Sequence, residues 1–169
     1  SKLGCSRCGV PAPRGCTNCA EPETVQLVTG GYVTGMTDGV WRGRGPDVQM
    51  IRVYRSDITY EGPMGEGWEF NHNIRLVETD QGGGDLDVEW IGMGRSDTFE
   101  YRTSTWTAPD GWHGTISKDT GNDEYLYTEK NGSVWKFEDD ATSTGYYRLK
   151  SFEDRYSNDI SYFYDSNGY

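Results

Sequence analysis

The residues best suited to chemistry lie at the start of the chain. Cys5-x-x-Cys8 and Cys16-x-x-Cys19 form two pairs separated by seven residues. Four thiolates at that spacing can surround a zinc or iron ion tetrahedrally, and Gly9 after Cys8 suits a tight knuckle turn. In an oxidising compartment the same four residues would close two disulfides, with three connectivities open to them. Reduced or interchain thiols are the third reading. Cys5, Cys8, Cys16 and Cys19 are therefore candidate ligands of structural zinc, and otherwise disulfide partners. Neither pair is followed by His, as c-type haem attachment needs, and neither sits in the strand-to-helix setting of a catalytic dithiol. In each reading the cluster is a staple, and no cofactor turnover is required.

Elsewhere the chemistry is sparse. Of the two histidines, His72 lies among strand residues and reads as a packed or cross-strand side chain, while His113 follows Trp112 in a Gly-flanked surface loop. Nucleophilic catalysis needs a base beside an activated Ser or Cys. Nothing in the sequence pairs them, so no catalytic or cofactor-binding residue is assigned. Acidic residues are so numerous that chance proximity is expected, and counting cannot single out a glycosidase pair. Asp119-Thr120-Gly121-Asn122-Asp123-Glu124 gathers oxygen ligands around a Gly, as calcium loops do, but without the twelve-residue EF-hand spacing. A solvated acidic turn is the other reading. Trp41, Trp68, Trp90, Trp106, Trp112 and Trp135 could form a sugar-stacking platform, although tryptophans in alternating strands usually pack in a core.

The elements that would carry these residues are extended. Every second residue of Trp68, Phe70, His72, Ile74 and Leu76 falls on one face of a strand, and Leu86, Val88 and Trp90 repeat the pattern. Similar runs occur at Val25–Val28, Val48–Tyr54, Phe99–Tyr101, Tyr125–Tyr127, Val134–Phe137, Tyr146–Leu149 and Ile160–Tyr164. They are rich in the aromatic and β-branched residues that pleated sheets favour. Asp38-Gly39, Asp110-Gly111, Asn131-Gly132 and Asn167-Gly168 accept the positive φ of two-residue hairpins, and Gly82-Gly83-Gly84 reads as a looser connection. No stretch shows helical spacing. The expected class is all-β, mostly antiparallel, with an irregular cysteine-bearing arm, and the spacing leaves sandwich, barrel and strand-stacked shell open.

Composition narrows the partners. Only 34% of residues are hydrophobic, while Gly 23 and Tyr 12 are high for this length, so aromatic rings must supply much of the burial. Lys+Arg 16 against Asp+Glu 27 leaves a net charge of -11, which argues against nucleic acid and anionic membrane surfaces. No apolar run approaches the roughly 18 residues of a membrane span, so no membrane insertion is expected. The first residues lack a signal-peptide pattern. The abrupt start and the turn-like end suggest a piece of a longer chain.

Two stretches go beyond generic β grammar. Gly43-Arg44-Gly45-Pro46 is followed by Arg52, Tyr54 and Ser56 and then by Gly65-x-Gly67-Trp68. The tail runs Leu149-Lys150-Ser151-Phe152-Glu153-Asp154-Arg155-Tyr156-Ser157-Asn158-Asp159-Ile160, then Tyr162-Phe163-Tyr164-Asp165-Ser166-Asn167-Gly168. The first resembles the domain that precedes the repeats in Rhs-family proteins. The second resembles one YD repeat, departing from it at Asp159, where Gly would be expected.

The resemblance implies three parts. These are a cysteine-bearing arm at 1–22, an Rhs-type pre-repeat β domain at 23–145, and a YD-repeat-like hairpin at 146–169 that continues into further repeats. It also implies a secreted or cell-surface bacterial protein whose hairpins spiral into a shell or tube. Each Tyr-Asp-x-x-Gly unit supplies a ring to pack, a carboxylate for the turn amides and a Gly for the reversal. The expected function is thus a non-enzymatic structural module that starts or caps a shell, or a subunit of a homo-oligomer or filament. Its expected partners are copies of itself or the continuation of its own chain. A carbohydrate-binding or adhesive β-sandwich module is the alternative.

Overall fold

The computed structural model describes residues 24–25, 30–43, 45–93, 95–141 and 143–165. The four cysteines, the end of the Val25–Val28 run and Asn167-Gly168 lie outside these residues. Among the described residues the fold is all-β and antiparallel, with no helix.

A smaller sheet comes first in the chain. It places β1 (Thr24–Val25), β2 (Tyr32–Trp41), β3 (Val48–Arg55) and β6 (Trp68–Phe70) in that spatial order. Between β3 and β6, β4 (Glu61–Gly62) and β5 (Gly65–Glu66) form a separate short hairpin. Asp38-Gly39 is no turn here. It lies inside β2, where the register against β3 shifts between Thr37 and Gly39, and Asp38 pairs instead with Arg52 at 2.9 Å. A dipeptide that tolerates a turn also tolerates a bulge, and the long partner strand β3 selects the bulge.

The larger sheet is a meander of eight strands that closes on itself. Its members are β7 (Arg75–Gly82), β8 (Asp85–Gly92), β9 (Arg95–Arg102), β10 (Thr105–Thr107), β11 (Thr115–Asp119), β12 (Glu124–Thr128), β13 (Val134–Asp139) and β14 (Tyr146–Glu153). Each consecutive pair is hydrogen-bonded except β10 and β11, and β14 pairs back onto β7 through Tyr146↔Val77, Tyr147↔Leu76 and Arg148↔Arg75. The result is a nearly closed barrel with a single seam between β10 and β11. Trp106 bridges the seam from inside, its ring 6.0 Å from that of Tyr125.

The alternation expected of half-buried strands is observed. Leu76, Val88, Phe99, Tyr125, Phe137 and Leu149, from six strands, are fully buried at the barrel centre. The run Trp68–Leu76 is not one strand, however. β6 ends at Phe70, a turn closed by Asn73 N donating to the Phe70 carbonyl follows, and β7 belongs to the other sheet. In β6 the buried residue is Glu69, out of phase with its apolar neighbours, and Arg75 is its ion-pair partner.

Two turns decide the barrel's outline. Gly82 pairs with Asp85, so the glycine triplet makes a tight two-residue hairpin rather than a loose connection. Gly83 and Gly84 both have positive φ, +69° and +92°, as a primed turn requires and as only glycine adopts without strain. Asn131-Gly132 does lie in the turn between β12 and β13, but not as a two-residue hairpin: Glu129 N donates to the Ser133 carbonyl and Gly132 N to the Glu129 carbonyl, only Gly132 has positive φ, and Ser133 N donates to Asn131 Oδ1 at 2.8 Å.

The chain ends in a hairpin. β15 (Asp159–Ser161) pairs with the second half of β14, along the edge whose first half is taken by β7. The handover occurs at Lys150, where β14 bulges against β13. That bulge corrects the parity, since Leu149 and Phe152 are three apart yet oppose Phe137 and Trp135, which lie on one face.

Candidate functional site

The loop from Ala108 to Gly114 spans the seam and pushes an indole into the barrel mouth. Trp112 N donates to the Pro109 carbonyl at 3.1 Å, and the loop rejoins the sheet at Gly114. There an added Cβ would lie 2.5 Å from the Thr128 carbonyl oxygen and the Tyr127 ring. Only glycine admits this approach, and it seats Trp112 against Trp90, Phe99 and Tyr127 at ring distances of 5.0, 5.1 and 5.2 Å. Among the described residues the buried Trp112 Nε1 has no hydrogen-bond partner, so this side chain is held through its ring faces and edges.

Above these rings the barrel mouth is a cup of about 350 Å³ walled by Trp90, Trp112, Tyr127 and Trp135. Trp90 is edge-on to Tyr127 and Trp135, at 69° and 78°, and lies at 59° to Trp112. The four rings are therefore not a coplanar platform. Glu129 stands on the rim and is fixed twice, accepting from Trp135 Nε1 at 2.8 Å and from Asn131 Nδ2 at 2.9 Å. Arg95, half exposed, lays its guanidinium 5.0 Å over the Trp112 ring and is paired with Asp97. His113 and Lys130 complete the rim.

A second polar group lies nearer the other end of β11 and β12. Lys118 Nζ donates to Glu78 at 2.5 Å and to the Tyr147 hydroxyl at 3.0 Å, the Tyr125 hydroxyl donates to Glu78, and Tyr147 donates to Asp123 at 3.0 Å. Burial works against the Lys118 charge, but the bonds from Glu78 and Tyr147 outweigh it and raise its pKa. Burial and Glu78 drive Tyr125 upward, and burial with Asp123 pushes Tyr147 up to about 12 despite Lys118. Held as a cation, Lys118 serves as the ion-pair partner of Glu78. The group is a clamp between β7, β11, β12 and β14.

The singled-out acidic loop is the β11–β12 turn. Asp119 accepts from Gly121 N and Asn122 Nδ2 at 2.9 and 2.8 Å, which holds its carboxyl below the usual range, while Glu124 is paired with Lys150. The carboxylates point to different partners, and among the described residues no three His, Cys, Asp or Glu side chains converge as metal ligands. Cys5, Cys8, Cys16 and Cys19 lie outside the described residues.

The histidines separate. His113 is on the rim of the cup, whereas His72 joins two parts of the fold. Its Nε2 donates to the Gln49 carbonyl at 2.7 Å and its Nδ1 accepts from the Tyr162 hydroxyl at 2.7 Å, an assignment in which each bond fixes the tautomer for the other.

The residues of the two distinctive stretches also come together locally. Arg52 stacks over Trp68 at 5.3 Å, Trp68 packs on Tyr54 at 5.3 Å, and Ser56 Oγ accepts from Tyr32 N at 2.8 Å. In the tail, Asp154 accepts from the amides of Tyr156 and Asn158 and from Asn158 Nδ2, all within 2.9 Å. Tyr164 donates to the Leu149 carbonyl at 2.6 Å and packs against Arg148. Phe163, between two packed tyrosines, is 91% exposed.

The aromatic cup was not legible in advance, because its walls come from β8, β12, β13 and a loop. The one local signal was a tryptophan between Gly111 and Gly114, a side chain too large for a turn set between residues that allow close backbone approach. None of the curated proteins matches the chain. Residues 22–99, from before the small sheet to the middle of β9, match the family described as a domain of unknown function, DUF6531.

Proposed function

We propose that the chain is a non-enzymatic structural module of a secreted or cell-surface Rhs/YD-repeat protein, on which further β strands build a shell or fibre. The observation that carries this reading is the free side of β15. β14 takes up one edge of β15, and among the described residues no strand pairs with the other. An unpaired strand edge is a template for another strand, and the exposed Phe163 ring lies just beyond it. The likeness of 146–169 to a YD repeat supplies the nature of the added strand, which is a further hairpin of the same chain or of another copy. The barrel, stapled by β7–β14 pairing, is the rigid base from which such growth starts. The cysteine arm is its staple, through structural zinc or two disulfides.

The test is the intact mass of the native polypeptide before and after reduction, with electron micrographs of the native assembly and elemental analysis for zinc. A reduced mass well above that of the 169-residue chain, or large assemblies of that chain, supports the reading. A native protein of that mass that stays monomeric at high concentration overturns it.

A further inference from the structure

The cup at the barrel mouth opens above rings that belong to the core or pack on it, yet Trp90, Trp112, Tyr127 and Trp135 together with Glu129 still line an open space. Four aromatic rings around about 350 Å³ form a space at the small end of ligand sites. Trp90 meets Tyr127 and Trp135 edge-on, so the rings offer no flat surface to a sugar ring, and the face already seen to carry a cation is that of Trp112.

An electron-rich ring face beside a carboxylate attracts an organic cation. Glu129 supplies that carboxylate, and two of its acceptor positions are already occupied by Trp135 and Asn131, which hold it in place. The protein itself tests the attraction, because Arg95 places its guanidinium over the Trp112 face. Arg95 is satisfied by Asp97 and more than half of its side chain is exposed, so it can leave. The net charge of -11 draws cations toward the surface from a distance.

We propose that the cup bounded by Trp90, Trp112, Tyr127, Trp135 and Glu129 binds a small quaternary-ammonium ligand, with Arg95 as the internal cation it displaces. An ammonium with methyl groups matches the site better than a bare one. It sheds water cheaply and presents C–H bonds to every wall, whereas a primary amine would demand hydrogen bonds the rings cannot give.

The experiment is a titration of the chain with choline and tetramethylammonium, followed by tryptophan fluorescence and the indole N–H resonances. The neutral isostere 3,3-dimethyl-1-butanol is the control. Choline binds with a dissociation constant on the order of millimolar, as expected for so few atoms, and the isostere binds at least about tenfold more weakly. Two variants move the affinity in opposite directions. Glu129→Gln weakens choline binding about tenfold by removing the carboxylate while keeping an acceptor for Trp135. Arg95→Ala tightens it by emptying the cup. Both sit on the rim, and far-UV circular dichroism verifies that the barrel is intact. Sedimentation with phosphatidylcholine vesicles then separates a lipid headgroup from a free small cation as the source of that chemistry. Equal binding of the isostere, no indole response to choline, or weaker binding by Arg95→Ala would each overturn the assignment.

Discussion

His72 Nδ1 lies 2.7 Å from the Tyr162 hydroxyl, across ninety residues of sequence. With Nε2 bound to the Gln49 carbonyl of β3, the imidazole ties the small sheet to the terminal hairpin. The hairpin is thus held by both sheets, by β14 through its backbone and by the small sheet through one side chain. Replacing Tyr162 by Phe leaves the ring in place and strands the imidazole nitrogen, at a cost of about 1 kcal/mol. In a denaturant-based double-mutant cycle with His72→Ala, the two changes cost less together than their sum by about 0.5 kcal/mol or more. Additive effects would show that the bond does not couple the two parts.

Alkali loosens the same region. Burial pushes Tyr162 and Tyr164 up to about 12, as it does Tyr147, from the ordinary 10.0. The folded chain therefore keeps these protons where the unfolded chain releases them. Stability is fully present below pH 10 and falls as the pH rises from 10 to about 12. Tyrosinate absorbance should show a late-titrating group of tyrosines, and Tyr162→Phe should remove one member of it.

On the acid side the Asp154 turn is the sensitive element. The Asn158 amide and the backbone amides of Asn158 and Tyr156 hold this carboxyl below 3.8. Its contribution is present above that ordinary value and is lost as the pH falls through the lower folded one. Asp154→Ala should abolish the dependence and speed amide exchange at Tyr156 and Asn158, with no change at the Asn131-Gly132 turn.

The β9–β10 hairpin is strained. Arg102 pairs with Thr105, and the two residues between them, Thr103 and Ser104, have φ of 49° and 65°. Neither is glycine, and a β-branched residue in this region is disfavoured. Thr103→Asn with Ser104→Gly supplies the dipeptide such turns prefer and should raise stability by about 1 kcal/mol in thermal or chemical unfolding.

Gly114 anchors the loop that carries Trp112, and a methyl group there meets backbone as well as a ring. Gly114→Ala should cost about 1–3 kcal/mol and shift the Trp112 indole resonance. Gly111→Ala, with open space around it but a φ of +85°, should strain the loop without that displacement.

Much of this was written in local pattern. The period-two runs at Leu86–Trp90 and Tyr125–Tyr127 produced strands with the expected faces buried, because a side chain's face depends only on its own position along an extended backbone. A turn also forms at Asn131-Gly132, where the Asn side chain bonds its own neighbour, although the connection is longer than a two-residue hairpin. What an alternating strand does not encode is its partner. The pairing of β14 with β7 that makes a barrel, the split of Trp68–Leu76 between two sheets and the bulge in place of a turn at Asp38-Gly39 were decided by distant strands. The bulge at Lys150 and the cup of Trp90, Trp112, Tyr127 and Trp135 belong to the same class. Each depends on contacts that exist only after the sheet has curled, when residues far apart in the chain share one face.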